Sequence, residues 1–222
     1  YFFGYLMATP VLVGLTDRVD ARLVFLGGCA FSSVGCFLFT TNAVDFWSAA
    51  MAWMLVGAGL AGTYMPGLQI LNARFDDNVR VRAVPWYTAS FGIGTGGSFA
   101  LMGVFLAYAD YRLAALIGSA GAFIAALLVL FFVQPHAGQP FSGTKKKRHP
   151  LDLRPAFQKP VALSYIFAYG AHTYELLAYR TWSFALLIFL AGRADTPLGI
   201  GSVTIIVSLI TVTGLLASLV GA

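Results

Sequence analysis

Residues 113–133 read LAALIGSAGAFIAALLVLFFV, 21 positions without a single charge. A helix needs about 20 apolar residues to cross roughly 30 Å of hydrocarbon. Working outward from this stretch, comparable apolar runs occupy 1–16, 23–41, 46–71, 83–109, 161–190 and 198–222. The chain is 59% hydrophobic and 10% charged, against about 25% charged residues in soluble domains. A soluble helical core needs charged outer faces, and these runs are apolar all round. A transmembrane barrel needs sustained period-two alternation over short strands, which is absent. The sequence predicts an all-α, polytopic transmembrane helical bundle of seven spanning segments.

The charges between the runs are unevenly shared. The first, third and fifth gaps carry Arg18, Arg22, Arg74, Arg80, Arg82, Lys145, Lys146, Lys147, Arg148, Arg154 and Lys159, 11 of the 14 basic residues. The second, fourth and sixth gaps carry only Arg112 and Arg193. Seven crossings put odd and even gaps on opposite sides, and the side rich in Lys and Arg is cytoplasmic. This topology accounts for the net charge of +5, so no nucleic-acid partner is implied. The expected partner is the lipid bilayer of the cell membrane, crossed several times.

One gap is longer than the others. Residues 134–160 contain Pro135, Pro140, Pro150, Pro155 and Pro160 around the basic run from Lys145 to Arg148. This is the candidate boundary between two units, 1–133 and 161–222, and it is expected to be cytoplasmic. Both ends of the chain lie inside apolar runs, so it is expected to be a piece of a longer membrane protein. Cys29 and Cys36 lie on one apolar run and cannot bridge within a helix. No disulfide, metal or cofactor is expected. Pro10 and Pro66 fall inside runs and should kink them. The 83–109 run is rich in small residues. Gly92, Gly96 and Gly97 are its packing candidates, because small residues four apart let a second backbone approach closely. Such a surface serves either plain packing or a sliding contact between moving bundles.

The first gap reads Gly14-Leu15-Thr16-Asp17-Arg18-Val19-Asp20-Ala21-Arg22. It resembles the loop between the second and third helices of the major facilitator superfamily. Leu15, Asp17, Arg18 and Arg22 match that pattern. Val13 stands where a Gly is usual, Asp20 replaces the second Gly, and Ala21 replaces a basic residue. The run from Gly57 to Pro66 is similar to the family's Gly-rich fourth helix, with Trp53 where an Arg is frequent. The fifth helix lacks the Gly-Pro pair of drug antiporters, and it lacks the Asn of nitrate-type members. The resemblance implies that about seven of twelve helices are present, the second to the eighth. It places most of the N-terminal bundle in 1–133, an interdomain loop in 134–160 and the start of the C-terminal bundle in 161–222. It also implies that Asp17, supported by Arg18 and Arg22, is a gating group that bonds across the two halves.

The 161–190 run is unlike the rest, because it holds His172, Thr173, Glu175, Tyr179 and Arg180. An ionised side chain at mid-membrane costs about 2.5–3.5 kcal/mol even on lenient insertion scales. On a helix His172, Glu175 and Tyr179 share one side, with Thr173 and Arg180 on the next strip. Glu175 and Arg180, five apart, point in different directions. Either these groups tie the helix to its neighbours, or they line a cavity. In the second case Glu175 binds a cation or carries a proton, His172 tunes or relays it, and Arg180 holds an anionic substrate group. Burial raises the pKa of a carboxyl, as a proton carrier requires.

These readings together describe a secondary active transporter that moves a small solute by alternating access, coupled to protons or another ion. No nucleotide-binding loop is present to supply ATP energy. Two other classes remain open on the residues alone. One is a multi-spanning membrane enzyme using Glu175 and His172, although no nucleophile or metal constellation accompanies them. The other is a non-transporting receptor or scaffold.

Overall fold

The computed structural model describes residues 1–108, 110–135, 157–193 and 199–220, with the backbone alone at 180 and at 214–220. The described residues form helices α1 (Phe2–Thr16), α2 (Ala21–Asn42), α3 (Phe46–Arg74), α4 (Asp77–Tyr108), α5 (Tyr111–Phe132), α6 (Pro160–Ala191) and α7 (Ile200–Val220). Among them α2, α3, α4 and α5 are long and apolar enough to cross a membrane. Helix α1 and the stretch Ile200–Thr213 of α7 are apolar but shorter. Helix α6 has 32 residues, but its apolar character is interrupted by His172 and Glu175. The long gap lies mostly outside the described residues, at 136–156.

Local chemistry sets the helix ends. The Asp20 carboxylate caps α2 by accepting from the Arg22 N–H at 3.0 Å. Asp45 and Ser48 form a reciprocal capping box at the start of α3, which satisfies donors that the first turn leaves unpaired. Pro160 opens α6 at a position where its missing N–H costs nothing. The third gap is shorter than the apolar pattern suggests. Helix α3 runs on to Arg74 and α4 starts at Asp77, so Arg74, Arg80 and Arg82 are helical. Hydropathy ends where charge begins, whereas helical hydrogen bonding continues into the interface.

Small residues decide which helices touch. Along α2 and α3, Gly28 lies so close to Gly59 and Gly62 that an added Cβ would come within 2.7 Å of backbone atoms of both. Gly4 of α1 presses on the Met54 backbone of α3 in the same way. Helices α2 and α5 are joined by a reciprocal pair. Ser33 Oγ donates to the Ser119 carbonyl at 3.1 Å, and Ser119 Oγ donates to the Ser33 carbonyl at 3.0 Å. Helix α4 packs mainly along α7 and more lightly on α3 and α5.

Pro10, Pro66 and Pro85 all lie inside helices. Pro66 removes one donor from the α3 ladder and crowds the preceding turn. At that turn Tyr87 of α4 donates its hydroxyl to the Tyr64 carbonyl at 2.8 Å, with a longer contact of 3.3 Å to the Thr63 carbonyl. A side chain of one helix thus bonds main-chain carbonyls of its neighbour in the turn before the proline.

Candidate functional site

Three features near the ends and faces of these helices carry the candidate functional groups. The first is the loop between α1 and α2. Asp17 and Arg18 are exposed there, and among the described residues no hydrogen bond or ion pair reaches the Asp17 carboxylate. Arg22 instead turns to α5, donating from Nη2 to the Leu130 carbonyl at 2.7 Å and from Nε to the Val129 carbonyl at 3.5 Å. The Val129 carbonyl already accepts from the Val133 N–H, whereas carbonyls of the last turn such as that of Leu130 lack intrahelical donors and carry partial negative charge, so an Arg is well placed there. Arg74 of α3 completes the cluster. Its Nη2 lies 3.6 Å from Asp20 Oδ1 and donates to the Gln134 carbonyl at 2.7 Å. Asp20 and Arg74 were not singled out by the loop motif. Asp20 stands at a position where the family pattern has Gly, and Arg74 is 54 residues away in sequence.

The second feature is the contact between α4 and α7. Ser208 Oγ donates to the Gly96 carbonyl at 2.7 Å, with both residues buried. A Cβ at Gly96 would come within 2.7 Å of Val212 Cγ2, and one at Gly103 would collide with Thr204 Oγ1. Thr204 is 1% exposed. Of the packing candidates, Gly96 is therefore at the contact, Gly92 is half-buried, and Gly97 faces open space. One residue along a helix is about 100° of rotation, which carries Gly97 off the shared face. Hydrogen bonds between membrane helices average roughly 0.6 kcal/mol, so close backbone approach is the larger part of this contact.

The third feature is the strip along α6. His172 Nδ1 lies 3.9 Å from Glu175 Oε2, an ion pair only when the imidazole is protonated. Both side chains are open, 69% and 82% exposed, so protein atoms do not desolvate Glu175 as a buried-helix reading supposes. Tyr179 is also exposed, and the Arg180 side chain lies outside the described residues. Away from that strip, Tyr64 of α3 packs against Tyr87 and Phe91 of α4, with ring centroids 6.1 and 5.8 Å away. This aromatic contact links α3 and α4. Spacing alone could not find it, because its members are up to 27 residues apart. Trp53 has an aromatic role as well, lying between Tyr1 and Phe39 at 6.1 and 5.2 Å.

Among the described residues no group of three or more His, Cys, Asp or Glu side chains could hold a metal ion. A comparison with curated proteins gives no match. The family model described as Major Facilitator Superfamily matches residues 1–222, the full length of the chain. The long apolar helices and the α1–α2 loop accord with that match, and the chain belongs to the major facilitator superfamily of membrane transporters.

Proposed function

We propose that this membrane transporter is a secondary active carrier that moves a small solute by alternating access, driven by a proton or another ion. In this reading 1–133 forms most of an N-terminal bundle, 134–160 a cytoplasmic loop and 161–222 the start of a C-terminal bundle, in the cell membrane. The α4–α7 contact then joins two bundles that rock around a mid-membrane site. The observation that carries the reading is the α6 strip. There His172 and Glu175 stand 3.9 Å apart, and both side chains are open.

An open carboxylate on such a helix is costly in lipid and inexpensive in a wet cavity. In the proposed cycle Glu175 binds the coupling cation or proton, and His172 competes for that proton across the 3.9 Å gap. Tyr179 borders the site, and Arg180 on the next strip holds an anionic group of the solute. Asp17, Arg18 and Arg22 act at the cytoplasmic gate. Packing alone does not require Glu175, because apolar residues often serve as well as buried ionic ones.

The test is solute uptake in vesicles with and without an imposed proton gradient. Glu175→Gln keeps the shape and removes titration. It is expected to reach the membrane at near-normal levels and to lose gradient-driven uptake. Normal uptake by Glu175→Gln across the pH range, with loss of folding in Glu175→Ala, would make the residue a packing element instead.

A further inference from the structure

The start of α2, the end of α3 and the end of α5 meet at one carboxylate. Helix α3 continues past its apolar run to Arg74, which brings a guanidinium to the start of α2 and the end of α5. Arg74 Nη2 donates to the Gln134 carbonyl at 2.7 Å and lies 3.6 Å from Asp20 Oδ1. The same Oδ1 accepts from the Arg22 N–H at 3.0 Å. Arg22 in turn reaches the Leu130 carbonyl at 2.7 Å with its own Nη2. Asp20 is thus the common partner of two arginines that grip the main chain on either side of Phe132, where α5 ends. The Arg74 and Asp20 side chains are 17% and 15% exposed, so salt screens this pair less than an open surface pair.

We propose that Asp20 and Arg74 are positioning residues that make the α1–α2 loop and the chain leaving α5 move as one body. Each bond alone serves a local end: a cap for α2, or a partner for a carbonyl at the end of α5. The shared Oδ1 joins them. Asp20 fixes the first turn of α2, from which Arg22 extends, and it holds the Arg74 guanidinium beside the Gln134 carbonyl. If the end of α5 pulls away, Arg74 loses its main-chain acceptor and its hold on Asp20 weakens. If Asp20 is displaced, both arginines lose their bearing on α5. A Gly at position 20, as in the family pattern, supplies no carboxylate, so the coupling comes from this chain's departure from that pattern. Its meaning for transport rests on the gating role proposed for Asp17, three residues before Asp20: the loop that presents Asp17 follows the start of the 134–160 segment. The coupling itself does not need that role.

Hydrogen exchange of the full chain in detergent, read peptide by peptide, tests the coupling at a distance, because exchange reports local opening. Asp20→Asn keeps an oxygen able to cap α2 and removes the charge that holds Arg74. It should quicken exchange at 128–135, remote in sequence, roughly threefold, the effect of losing a partly screened ion pair. Arg74→Gln removes the guanidinium from the other side. It should quicken exchange at 17–24, where the Val19 and Leu23 amides are hydrogen-bonded, by a similar factor. Peptides of α4 and α7 around Gly96 and Ser208 should exchange as before in both variants. Quickening confined to the neighbourhood of each substitution, or none at all, would overturn the proposal. Equal quickening at the α4–α7 contact would overturn it too, since that marks a general loss of stability. A misfolded Arg74→Gln leaves Asp20→Asn to decide by the same criterion. Failure of the gating role of Asp17 would show in transport and leave these exchange rates as they are.

Discussion

Asp20 shows how a departure from a sequence pattern can gain a role of its own. The loop resembles a family pattern with Gly at this position, yet the carboxylate here caps α2 and lies 3.6 Å from the Arg74 guanidinium. The sequence marked Asp17, Arg18 and Arg22 as the loop's functional residues, and it had no means to place Arg74 beside Asp20. Such pairings depend on how α1, α2 and α3 meet, and a local pattern does not encode that meeting. Asp45 allows a direct test of capping at the same scale. The Ser48 N–H and hydroxyl both donate to its carboxylate, and they hold its pKa below the ordinary value of 3.8. A depressed carboxyl pKa contributes stability that is fully present above the unfolded-state value and is lost as pH falls through the lower folded value. Thermal unfolding of detergent-solubilised protein should therefore weaken as pH drops below about 4, near the unfolded value. Asp45→Asn can still accept hydrogen bonds but does not titrate there, so it should show a shallower acid dependence. Equal acid slopes for the two proteins would remove the cap from the account.

At the scale of elements, the apolar runs locate every helix to within a few residues, except at the start of α4. Residues 77–82 are helical but mostly polar, so hydropathy starts the segment six residues late. What the runs do not reveal is which faces meet. Four small residues, Gly92, Gly94, Gly96 and Gly97, sit within six positions of α4. A Cβ at Gly94 or Gly97 would meet open space, whereas one at Gly96 would meet α7. Helical rotation gives them different environments, and only the packed bundle says which. Gly103, about two helical turns beyond Gly96, is more constrained than Gly94, Gly96 or Gly97. Gly103→Val would push against Thr204, which is itself almost fully buried. Overpacking of this kind costs typically 1–3 kcal/mol, so its unfolding temperature in detergent should drop clearly. Gly97→Ala should leave that temperature unchanged. A tolerant Gly103→Val would mean that α4 and α7 do not approach as closely as described.

For the whole molecule, composition and charge were enough to identify a membrane-spanning helical bundle, because twenty-residue apolar runs have few other uses. The family was visible in the α1–α2 loop and in the position of the long gap. The aromatic contact between α3 and α4 was not, since Tyr64, Tyr87 and Phe91 come together only through packing. The orientation in the membrane rests on the distribution of Lys and Arg among the gaps. It leads to a labelling experiment in cells. With Cys29 and Cys36 replaced by Ala, Ser142→Cys should react with an impermeant thiol reagent only after the inner face is opened to it. Reaction in intact cells would invert the proposed orientation, and with it the assignment of the gate.

The Ser208–Gly96 bond has a consequence for how this protein can change over generations. Its donor is a side chain, but its acceptor is a main-chain oxygen. A codon change at position 96 can crowd the bond and cannot abolish the oxygen, whereas at position 208 one change deletes the donor. The two helices therefore carry unequal mutational risk for the same contact: on α4 it is a matter of size alone, and on α7 of chemical identity.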